Sequence, residues 1–183
     1  MPIKPGRISS RRIYFGKVIS VDLDQVQFPD GSTGELEMIR HLGASAIVPI
    51  LNVGKDDPEI LLIRQYRYAA DSYMYEIPAG RLEPAEAPEQ CARRELREET
   101  GYSAAHIRVL TTIYTTPGFT DERIHIFVGE NLTLGEADRE PDEFLELYPI
   151  PLSRALAMVY AGEIVDGKTV IGLLLVQLRR QAE

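Results

Sequence analysis

The chain has 183 residues, enough for one domain with a sizeable core and short for two. A hydrophobic share of 44% and a charged share of 26% are ordinary for a globular protein, and a net charge of −8 argues against a general nucleic-acid or anionic-membrane surface. Cys91 is the only cysteine, so no internal disulfide can form, which agrees with a reducing cytosol; its place among helix formers suits packing better than nucleophilic attack.

The first twelve residues, MPIKPGRISSRR, lack the apolar stretch of a signal peptide and read as a loose polar lead-in. Ile13 to Val21 and Gln25 to Phe28 are rich in β-formers. Pro29-Asp30-Gly31-Ser32 signals a turn, and Glu35 to His41 completes a three-stranded antiparallel meander. So small a sheet is marginal alone and needs a cover. Ala44 to Leu51 and Glu59 to Tyr66 are apolar runs of strand length, and Tyr73 to Ile77 is a short strand leading into Pro78-Ala79-Gly80.

Past an acidic segment, His106 to Thr115 and Arg123 to Glu130 read as strands around the loop Thr116 to Glu122. Residues 131–142 are a polar, acidic loop, and Phe144 to Ile150 alternates as a strand. Ser153 to Ala161 and Lys168 to Arg180 read as helices, the second with basic residues at its C-terminal end, where they suit the helix dipole. The longest apolar run, Val170 to Val176, is far shorter than the roughly 20 residues of a membrane span. Strands with helices before and after them predict an α/β fold, a mixed sheet between helical layers.

The acidic segment is GRLEPAEAPEQCARRELREETGY, residues 80–102. On a helix, Glu95, Glu98 and Glu99 fall at i, i+3 and i+4 and share one face. Like charges at that spacing destabilise an isolated helix by about 0.2–0.5 kcal/mol per pair, so the segment is either a solvated face or a site for a cation. Carboxylate oxygens suit hard cations such as Mg²⁺, Mn²⁺ or Ca²⁺. Pro88 fits the first helical turn and Gly101 the stop. Arg94 reaches Glu98 at i+4 and is placed to hold one carboxylate rather than touch substrate.

These residues resemble the Nudix box, G-x5-E-x7-R-E-U-x-E-E-x-G-U, where U is bulky and apolar. Gly80, Glu86, Arg94, Glu95, Leu96, Glu98, Glu99, Gly101 and Tyr102 fill its fixed positions, Tyr102 as the loosest fit. The resemblance extends over residues 12–178. Gln65-Tyr66-Arg67, Glu76-Ile77-Pro78-Ala79-Gly80 and Thr116-Pro117-Gly118 are similar to stretches of the ADP-ribose pyrophosphatase branch.

The resemblance implies a Nudix-type α/β/α sandwich over residues 43–183, preceded by a small antiparallel β region, residues 1–42, that packs in a homodimer. It implies Mg²⁺, with Mn²⁺ as a substitute, held by the Ala79 carbonyl, Glu95, Glu98 and Glu99. It places Arg94 and Glu86 behind those ligands. Arg67, Glu76, Glu122 and Arg40 would contact substrate. The catalytic acids would be Glu98 and an acid of a late loop, Glu143 before Glu140. The implied reaction is hydrolysis of ADP-ribose to AMP and ribose 5-phosphate by a cytoplasmic enzyme with no nucleic-acid or membrane partner. Two alternatives stand beside it: the same chemistry on GDP-mannose, another nucleotide sugar or a dinucleotide, and a non-catalytic nucleotide-binding regulatory module.

Overall fold

The computed structural model describes residues 4–135 and 145–182, which fall into two compact units. Unit 1 comprises residues 1–43 with 114–123, and unit 2 comprises residues 44–113 with 124–183.

Unit 1 is a three-stranded antiparallel sheet in the order β1 (Gly6–Phe15), β2 (Ser20–Gln27), β3 (Thr33–Arg40). Three antiparallel strands are present as expected, but Ile13 to Val21 is not one of them and the lead-in is not loose: β1 begins at Gly6, the chain turns after Phe15, and β1 pairs with β2 from Gly6↔Gln27 to Phe15↔Ser20. Its side chains are exposed throughout, so the hydrophobic alternation that marks a half-buried strand is missing. Cross-strand charge holds it instead, with Arg12 donating to Asp22. The 114–123 segment adds to β3, where Ile39 N–H donates to Phe119 O at 2.8 Å and Asp121 N–H donates to Ile39 O at 3.3 Å.

Unit 2 holds two sheets. One is antiparallel, ordered β10 (Leu145–Pro151), β5 (Glu59–Arg67), β6 (Ser72–Glu76). The other is mixed, ordered β7 (Ala79–Arg81), β4 (Ala44–Pro49), β9 (Arg123–Leu134), β8 (Tyr102–Tyr114), with β4 parallel to β9 and antiparallel to β7. The fold class is therefore the α/β arrangement expected. β8 and β9 run longer than the sequence suggests, and Ala79–Arg81 is a strand in its own right.

β4 explains the layering. All six of its residues are buried, as in a strand covered on both faces. Ala46 and Val48 point into a large core with Leu173, Val176, Leu152, Ala155 and Met158, the buried faces of α2 (Leu152–Tyr160) and α3 (Gly167–Ala182). Ile47 points the other way, into a smaller core with Ala92 and Leu96 of α1 (Pro88–Thr100) and Phe127 of β9. Successive residues of one strand thus meet helices on opposite faces of the sheet.

Candidate functional site

Helix α1 is set by local signals. Pro88 opens it, the Gln90 side chain accepts from Ala87 N–H at 3.3 Å, and Gly101 closes it at φ +78°, with its N–H on Arg97 O at 2.8 Å. Ala92 and Leu96, four apart, seat it against Ile47 and Phe127. Ser45 of β4 fixes its start by donating from Oγ to Pro88 O at 2.8 Å. Burying Ala92 and Leu96 turns Glu95 and Glu99 inward as well, to 8% and 4% exposure. Glu98 lies at the edge of the same face.

Strand β7 lies against this acidic face. Ala79 N–H donates to Glu99 Oε2 at 3.0 Å. Gly80 packs on the Glu95 carboxylate so closely that a Cβ there would stand 1.8 Å from Oε1. The Ala79 backbone is thereby brought to Glu99, and Gly80 to Glu95.

Arg94 holds more than the one partner expected. Its Nη1 donates to Glu95 Oε1 at 2.6 Å and to Glu98 Oε2 at 3.0 Å. Its Nε and Nη2 form a fork on Glu86 at 2.9 and 3.0 Å, and Nη2 also donates to Arg81 O at 3.1 Å. The hydrogen bond from Arg94 holds the Glu86 carboxyl down to about 2, against the smaller opposing effect of burial. Cys91, wholly buried, has its thiol pushed up to about 12 by burial and by the charges of Glu86 and Glu95, as suits a packing residue.

Among the described residues no three Asp, Glu, His or Cys side chains converge as a ready-made metal cluster. The donor chemistry nevertheless fits a hard divalent cation: oxygen ligands only, two of them on buried carboxylates, and a strand that leaves the Glu95 carboxylate room by carrying glycine at residue 80.

Arg67 ends β5, and Glu76 ends β6, where it is 2% exposed. The Arg67 fork meets the carboxylate at 2.6 and 2.8 Å, and the Arg67 side chain is 43% exposed. Lys168 and Asp166, which nothing in the sequence had singled out, complete this cluster: Lys168 Nζ donates to Glu76 Oε2 and lies 3.0 Å from Asp166 Oδ1. An aspartate just before an apolar helix was the available signal, since Asp166 caps α3 by accepting from Thr169 N–H at 3.0 Å. Burial pushes the Glu76 carboxyl up, but Arg67 and Lys168 outweigh it, and the result lies below the usual carboxylate range.

Arg40 and Glu122 belong to unit 1 and are paired within it. Arg40 donates to Asp22, Asp24 and Asp121, so its guanidinium is held by three carboxylates. Glu122 accepts from Thr115 Oγ1 at 2.9 Å, and its other oxygen lies 3.3 Å from His41 Nδ1. His41 and Glu122 line a cavity of about 380 Å³ with Ile19, Ile39, Thr116 and Phe119. Glu143 and Glu140 lie outside the described residues. No helix among the described residues is long and apolar enough to cross a membrane.

The chain is 39% identical over 174 residues to an ADP-ribose pyrophosphatase of Bacillus subtilis (strain 168), a match covering 94% of this chain and 92% of that one. It is equally similar, at 39% over 174 residues with 94% and 92% coverage, to a methanol dehydrogenase activator of Bacillus methanolicus. A crystal structure of an ADP compounds hydrolase shares the fold, with a TM-score of 0.83 at 23% identity over 100% of this chain and 97% of that one. The NUDIX domain model matches residues 40–166, the stretch that carries the acidic helix, the glycine strand and the arginine fork, and the chain belongs to that family.

Proposed function

We propose that this chain hydrolyses the pyrophosphate of ADP-ribose to AMP and ribose 5-phosphate, with Mg²⁺ as the cation and Mn²⁺ as a substitute. The observation that carries the reading is the pairing of two buried carboxylates, Glu95 and Glu99, with a backbone strand that touches both, in a chain similar over nearly its whole length to an ADP-ribose pyrophosphatase.

Glu95, Glu98, Glu99 and the Ala79 carbonyl would hold the cation, which when bound neutralises pyrophosphate charge and helps to activate water. Arg94 keeps Glu95 and Glu98 aimed at one side of the helix, and Glu86 keeps Arg94 in place. Arg67 offers its open edge to phosphate oxygens, a partner that suits a planar guanidinium, while Glu76 fixes the fork from behind. Water adds its oxygen to one phosphorus, the bond from that phosphorus to the bridging oxygen breaks, and the departing phosphate carries the electron pair away. Glu143, with Glu140 after it, would take the proton of the attacking water, and Glu98 would serve beside them. Arg40 and Glu122 are paired inside unit 1, and the chemistry just described does not require them.

The test is a product assay by anion-exchange chromatography with ADP-ribose, ADP-glucose, GDP-mannose, NADH and diadenosine polyphosphates, each with Mg²⁺ and with EDTA. AMP and ribose 5-phosphate formed fastest from ADP-ribose, and only with metal, is the expected result. Faster turnover of GDP-mannose would overturn the substrate and keep the chemistry. Metal-dependent binding of nucleotide without product would favour a binding module.

The chain would act as a cytoplasmic homodimer through its N-terminal sheet. Support comes from β1, whose ten residues are all exposed and include Ile8, Ile13, Tyr14 and Phe15. A monomeric mass by light scattering at micromolar concentration would overturn the dimer.

A further inference from the structure

The first turn of α3 reaches back to the end of β6, where Glu76 accepts the arginine fork. Lys168 Nζ and both donors of the Arg67 fork meet on one buried carboxylate, that of Glu76. Asp166 Oδ1, 3.0 Å away, anchors the ammonium from the other side. The side chain of Lys168 is 11% exposed against 43% for Arg67, so the lysine is enclosed and the arginine faces outward. Next to it, Thr169 is wholly buried, donates to Asp166 Oδ2 at 2.5 Å and accepts from Ile77 N–H at 2.9 Å. One helical turn therefore ties down Glu76, the last residue of β6, and Ile77 just after it, two positions before Ala79.

We propose that Lys168 is a positioning residue for anion binding. It fixes the plane of the Glu76 carboxylate, and that plane fixes the direction in which Arg67 presents its open edge. Glu76 without Lys168 would keep its charge but turn more freely about its last bond, and the Arg67 fork would turn with it. Lys168 does not itself meet the ligand; it acts through Glu76 and Arg67. The proposal rests on the reading of Arg67 as the pyrophosphate contact.

Calorimetric titration with inorganic pyrophosphate and saturating Mg²⁺ tests it in four proteins: wild type, Lys168→Met, Arg67→Ala and the double variant. Each single change is expected to raise Kd about tenfold, the loss of roughly one charged hydrogen bond. The double variant should bind no more weakly than Arg67→Ala, because the two residues act as one unit. Lys168→Arg should recover part of the loss. If Lys168→Met is unfolded at the assay temperature, Lys168→Gln carries the same comparison. A Kd within twofold of wild type in Lys168→Met, losses that multiply in the double variant, or a wild type that binds no pyrophosphate would each overturn the proposal. ADP-ribose hydrolysis by the wild type, followed in parallel, decides the proposed reaction separately.

Discussion

Gly80 and the carboxylate of Glu95 share one space: a Cβ on residue 80 would lie 1.8 Å from Oε1 and 2.1 Å from the carboxyl carbon. Gly80 is not there for a left-handed backbone, since its φ is not positive. Absence of a side chain is what the site uses. The atoms in the way are the end of a flexible side chain, so Gly80→Ala can be relieved by swinging Glu95 aside. The expected result is a loss of turnover of about 10²-fold, comparable to losing one well-placed electrostatic contact, with a melting temperature within a few degrees of wild type. Equal losses of activity and stability would mean that the strand, rather than the carboxylate, gives way.

Glu99 is 4% exposed and accepts from Ala79 N–H. Glu99→Gln keeps the size of the side chain and an oxygen for that hydrogen bond, but removes the charge. Turnover should fall by about 10²-fold or more, with the melting temperature little changed. Near-normal activity would remove Glu99 from the metal site.

Arg94→Met exposes the link between charge and stability. The Glu86 carboxyl is held at about 2 in the folded chain against an ordinary 4.5. A carboxyl held low stabilises the fold above its ordinary value, and that contribution is lost as pH falls from 4.5 towards 2. In the variant the contribution is absent at every pH. Urea unfolding of both proteins at pH 6, 4 and 3 should show the wild type ahead by most at pH 6 and by progressively less below 4.5. A constant difference would mean that the bond between Arg94 and Glu86 does not set the acid stability.

Much of this arrangement is legible in the sequence because it is local. The acidic face of α1 follows from i, i+3 and i+4 spacing, its start from Pro88 and its end from Gly101. What could not be read are contacts made across the chain. Glu76 and Lys168 are 92 residues apart and meet only because α3 packs over the end of β6. The carboxylates around Arg40 are of the same kind, since Asp22 and Asp24 come to it from β2 and Asp121 from a loop. The first half of β1, Gly6 to Arg12, could not be read because an exposed strand has no apolar alternation to betray it.

Glu76→Gln should be the most destabilising of these changes. Glu76 is 2% exposed and answers both Arg67 and Lys168, so the amide leaves two cations facing each other without their shared counter-charge. Removing one partner from a buried ionic cluster costs about 3–5 kcal/mol, which in a chain of this size lowers the melting temperature by roughly 6–20 °C. Glu146→Gln is the control. Glu146 also pairs with an arginine, Arg64 at 3.2 Å, but is 69% exposed, and its loss should cost less than about 1 kcal/mol. Each carboxylate pairs with an arginine of β5, Glu76 from β6 on one side and Glu146 from β10 on the other, and Glu76 alone is buried. Calorimetry at neutral pH that found equal shifts for both would show that burial does not govern the strength of the Glu76 cluster.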